Sequence, residues 1–83
     1  MPWASAAAAT VLGKMGDPAA VERLLAVLKN DPSAKVRAAA AEALGALRQS
    51  SAAQALVEAL EDPAPEVRRA AVLAVAQLKW ASA

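Results

Sequence analysis

The stretch Asp31-Pro32-Ser33-Ala34-Lys35-Val36-Arg37-Ala38-Ala39-Ala40-Ala41-Glu42-Ala43-Leu44-Gly45-Ala46-Leu47 decides how the chain folds. It returns 31 residues later, Asp31 becoming Asp62, as Asp62-Pro63-Ala64-Pro65-Glu66-Val67-Arg68-Arg69-Ala70-Ala71-Val72-Leu73-Ala74-Val75-Ala76-Gln77-Leu78. Asp-Pro, Val-Arg, an alanine pair and the last Leu recur in register. A period of this length signals stacked supersecondary units rather than one closed globule.

Working outward, residues 33–48 form a helix with Val36, Ala40, Ala43, Leu44 and Leu47 on one face. Gly45 lies inside it at a cost of about 1 kcal/mol against Ala, which points to close approach of a neighbouring helix. Before it, Val21, Leu24, Leu25 and Leu28 fall at i, i+3, i+4 and i+7, the stripe of an amphipathic helix over 18–29. Gly16-Asp17-Pro18 supplies a helix stop, an N-cap and a first-turn proline. After the central helix, Gln49-Ser50-Ser51 opens a helix over 51–61, with Ser50 or Ser51 as its cap and Ala53, Leu56, Val57 and Leu60 as its stripe. The last helix covers 64–80. Residues 3–15 repeat the end of the central helix, Leu12-Gly13 matching Leu44-Gly45, without a partner helix of their own.

The order is B-A-B-A-B, and the fold class is all-α: about five antiparallel helices in one domain over 1–83. It divides as a half repeat at 3–15 and full repeats at 17–48 and 50–80. Two- to four-residue connections suit antiparallel neighbours.

On these residues the chain resembles the HEAT family of α-solenoid repeats, in particular the short HEAT-like repeats of the phycobilin-lyase type. The resemblance covers about residues 4–80 and implies stacked helix pairs with B helices on a concave side. It also implies that Arg37 and Arg68 reach the aspartates of the Asp-Pro turns, Asp31 and Asp62, often across repeats. It does not imply lyase activity. Ala4-Ser5 stands where Val-Arg belongs, and Leu73 stands where the central copy carries Glu42. A near-consensus middle with altered ends points to an engineered or trimmed repeat protein.

Composition narrows the function. The chain has 83 residues, a net charge of +1 with basic and acidic residues interspersed, and a hydrophobic content of 58%, more than half of it alanine, which buries little area. No basic block suggests nucleic acid, no apolar run approaches a membrane span, and the alanine-rich start lacks the basic region of a signal peptide. The expectation is a soluble, cytoplasmic chain. His and Cys are absent, and no carboxylate spacing suggests a metal site. The sequence therefore predicts no enzyme, no catalytic residue, no metal, no cofactor and no small-molecule substrate.

What remains is surface. Val72, Leu73 and Trp80 add apolar area to the last helix beside Arg69 and Ala76, and Trp3, Ala6 and Ala9 lie on the unpaired first helix. Trp is enriched at interface hot spots. These eight residues are the expected interface of a non-enzymatic repeat scaffold that self-associates, as a two-fold dimer, through terminal or B-helix surfaces. The alternative expectation is a monomeric module that binds a protein or peptide on its concave B-helix face.

Overall fold

The computed structural model describes residues 18–81, with side chains from 19 to 78. Four α-helices occupy this range: α1 (Pro18–Asn30), α2 (Ala34–Leu47), α3 (Ala53–Ala59) and α4 (Pro65–Ala81), with a 3-10 turn at Ser50–Ala52 leading into α3. No strand occurs among the described residues. The half repeat expected at 3–15, including Trp3, Ala6 and Ala9, lies outside them.

Local chemistry sets each boundary. The Asp31 carboxylate accepts the Ser33 amide at 2.8 Å, and the Ser33 hydroxyl accepts the Val36 amide at 3.4 Å, capping α2. The same device recurs at Asp62, which accepts the Ala64 amide at 2.9 Å just before α4 opens on Pro65. A proline fits there because the first helical amide has no helical partner. At its far end α2 stops on Arg48, which takes a left-handed conformation at φ 54°. The cap expected of Ser50 or Ser51 does not form: neither Gln49 nor Ala52 caps through its side chain. The helix starts instead through the tight backbone bond from the Ala52 amide to the Gln49 carbonyl, 3.0 Å.

α1 with α2, and α3 with α4, make two hairpins. They stack so that α1 lies beside α3 and α2 packs extensively on α4. Leu24, Leu44, Leu56 and Val67 are fully buried at the centre. Alanines fill the rest: Ala40 and Ala41 of α2 and Ala70, Ala71 and Ala74 of α4 are buried. Such small side chains let helix axes approach closely. Gly45 marks a point of close approach, since a Cβ there would stand 2.7 Å from Ala74 Cα and 2.8 Å from Ala74 Cβ. The close approach expected at this glycine is present, and α4 is the helix that makes it.

The α3 stripe is displaced from its expected position. Ala52, Ala55, Leu56 and Ala59 are buried, whereas Ala53 is exposed and Val57 is 51% exposed. The covered face of α3 packs on α4 and, to a lesser extent, on α1. Ala53 and Val57 lie off that face, while Leu60 is half-buried against the core.

Candidate functional site: an inter-hairpin clamp and the adjoining cavity

Two features meet at Asp62. The first is a clamp between the hairpins. Arg37 rises from the first full turn of α2, where the Asp-Pro turn before it and Val36 beneath it fix its direction. Its Nη1 donates to the carbonyl of Asp31 at 2.7 Å, which pins the guanidinium to its own turn. Nε then donates to one carboxylate oxygen of Asp62 at 3.0 Å and Nη2 to the other at 3.1 Å. This two-point geometry suits a planar guanidinium and is beyond a lysine. The two side chains are only 15% and 12% exposed. The Arg37 hydrogen bond holds the Asp62 carboxyl below the ordinary carboxylate range, burial pushing the other way and the Ala64 amide adding to the lowering. The hydrogen bond to Asp62 raises Arg37 further, so both partners stay charged at neutral pH.

Arg68 repeats half of this arrangement. Its Nη1 donates to the Asp62 carbonyl at 2.8 Å and to the Pro63 carbonyl at 3.0 Å. The expected link between arginine and Asp-Pro turn thus takes two forms. Within a repeat the arginine holds the turn's carbonyl, and only across repeats does it hold the aspartate's carboxylate.

The second feature is a cavity of about 360 Å³ lined by Leu28 and Lys29 of α1, Ala55, Glu58 and Ala59 of α3, and Asp62. Its walls carry one cation and two carboxylates above an apolar floor. Lys29 and Glu58 are far apart in the sequence, and they come to one cavity only because α1 and α3 lie side by side. Among the described residues no group of three or more His, Cys, Asp or Glu is placed to hold a metal ion, and no helix is long and apolar enough to cross a membrane.

Of the eight residues expected at an interface, Arg69, Val72, Leu73 and Ala76 lie exposed on α4, Val72 by 56% and Leu73 by 59%. Trp80 belongs to the same helix, but its side chain, like Trp3, Ala6 and Ala9, falls outside the described set. Val72 and Leu73 point to different sides. Val72 follows Arg68 along the outer flank of the second hairpin, and Leu73 stands on the open B-layer face in the place of Glu42.

Two stacked helix pairs, joined by an arginine that crosses from one Asp-Pro turn to the next, make one family assignment natural, and the family model for HEAT repeats matches residues 2–77. The chain belongs to the HEAT-repeat family. Within it, this HEAT chain is 41% identical over 70 residues to the deoxyhypusine hydroxylase of Danio rerio and 39% identical over 70 residues to that of Drosophila pseudoobscura pseudoobscura. The deoxyhypusine hydroxylase of Gallus gallus is 41% identical over the same length. Each match takes in 83% of this chain and 23% of the relative, so the chain spans about a quarter of the length of the curated relatives it matches.

These relatives overturn two expectations. The chain was expected to be no enzyme, and to serve as a non-enzymatic self-associating scaffold or peptide-binding module. Its curated relatives carry the name of an enzyme. The reason is physical: the absence of His and Cys describes only the side chains of this stretch, whereas a repeat array distributes its chemistry over many repeats. A segment matching 23% of such an array need not display the reacting groups to belong to it.

Proposed function

We propose that this chain is a HEAT-repeat segment of an enzyme that hydroxylates deoxyhypusine. The observation that carries the reading is the 39–41% identity running over 70 residues, because 83% of the chain is more than either hairpin alone. Two hairpins fixed in register by Arg37 and Asp62 give such an enzyme a rigid stretch of helical array, and a site 1 Å out of place is a weak catalyst.

The experiment replaces the matching segment of the Danio rerio enzyme with this chain's 70 residues. A protein bearing deoxyhypusine is the substrate, and mass spectrometry reads the gain of one oxygen atom. The chimera is expected to keep hydroxylating. If it shows the full helical circular dichroism signal yet adds no oxygen, the assignment fails.

A further inference from the structure

The cavity between α1 and α3 joins two kinds of surface. Its floor is apolar, made by the buried side chains of Leu28, Ala55 and Ala59. Lys29, Glu58 and Asp62 supply its charges. Asp62 is already occupied: its carboxylate accepts Nε and Nη2 of Arg37 and the amide of Ala64. That leaves one cation and one carboxylate, on neighbouring helices. Both residues are exposed, and neither side chain bonds to a described residue.

The repeat explains neither charge. Aligning Leu24 of α1 with Leu56 of α3 sets Ala26 against Glu58 and Lys29 against Glu61. Helix stability does not ask for Glu58 either. It stands in the last turn of α3, the end of a helix at which a carboxylate is unfavourable. A carboxylate that weakens its own helix and has no partner in the described chain points to a partner from outside.

We propose that this cavity binds a free α-amino acid with an aliphatic side chain, Lys29 taking its carboxylate, Glu58 its ammonium and the apolar floor its tail. Charge balance selects this class. A simple anion would meet Glu58 as well as Lys29, and a simple amine or a metal cation would meet Lys29 as well as Glu58. A zwitterion with both charges at one end answers both groups at once. Its apolar end then matches Leu28, Ala55 and Ala59. Size agrees: about 360 Å³ lies at the small end of ligand pockets and suits a molecule of leucine's dimensions.

Leucine itself is the probe, added to the full isotope-labelled chain at neutral pH and followed by amide NMR shifts. Only binding is read, so the result is independent of whether the chain serves a hydroxylase. Leucine is expected to saturate with a Kd on the order of 1 mM, moving the amides around Lys29 and Glu58. Leucinamide lacks the carboxylate and isocaproate lacks the ammonium. Each should bind about fivefold more weakly, the weight of one solvent-screened charge contact. Lys29→Met should bind leucine and leucinamide alike, and Glu58→Gln should bind leucine and isocaproate alike. Both positions are exposed, so the helical circular dichroism signal of each variant should match that of the parent. No saturable shift at tens of millimolar leucine overturns the proposal. Equal affinity for all three ligands overturns it too, since the hollow would then take any aliphatic tail without reading charge. So does leucine binding that both variants leave unchanged.

Discussion

Asp62 concentrates more of the architecture than any other side chain. It caps the start of α4, receives Arg37 from the other hairpin and lines the cavity between α1 and α3. Asn at this position keeps the cap and loses the charge. Hydrogen bonds to charged groups contribute about 1.5–3 kcal/mol, so Asp62→Asn should lower urea stability by about that much at pH 7. The sign of the pH dependence follows from the lowered carboxyl. A group whose pKa is depressed on folding stabilises above its unfolded value, ordinarily 3.8, and loses that contribution as pH falls through the folded value. The gap between parent and Asp62→Asn should therefore be full well above the unfolded value and close as pH falls below it, through the lowered value of the folded carboxyl. A gap that persists in acid would mean that the neutral hydrogen bonds, rather than the charges, join the hairpins. Arg37, raised from an already high value, adds no titration in this range.

The helices form where leucine and valine recur at helical spacing. Leu24 and Leu44 were placed on apolar stripes, and both are fully buried. Emptying such a site costs about 2–5 kcal/mol, so Leu24→Ala or Leu44→Ala should lower the melting temperature clearly in calorimetry. Parent-like melting would show that the neighbouring helices collapse into the space. α3 was legible only in part. Its stripe was drawn through Ala53, Leu56, Val57 and Leu60, whereas the buried face is marked by Ala52, Ala55 and Ala59 around Leu56. Alanine is tolerated on either face, so its periodicity carries little information about direction, and the tight turn at Ser50–Ala52 starts α3 without the expected hydroxyl cap. Gly45 was more informative, because a glycine inside a helix has few uses other than close approach. The cavity was not legible at all: Lys29 and Glu58 are separated in sequence, and only hairpin stacking brings them to one wall.

At the scale of the whole molecule, the repeat pattern carried the architecture and left the activity open. Val-Arg and Asp-Pro describe how one hairpin holds the next, and that relation is the same whatever the array does. The chemistry of an enzyme, by contrast, is set by a few side chains that interrupt the repeat. A stretch close to the repeat consensus shows the framework best and the chemistry least. That is why absent residue types led to the wrong functional class, while the identity to named enzymes over 70 residues corrected it.

The order of helix contacts also has a consequence in time. α2 packs on α1 before it and on α4 after it, and α3 packs on α4; even the clamp joins residues only 25 apart. Chains built from such near-neighbour contacts close short loops and fold in microseconds to milliseconds. Stopped-flow dilution from urea should therefore find refolding finished within a few milliseconds, and Asp62→Asn should act mainly on the rate of unfolding, because a bridge between two finished hairpins forms after the hairpins do. The clamp would then set how long the two hairpins stay together once folded, and have little influence on how quickly they meet.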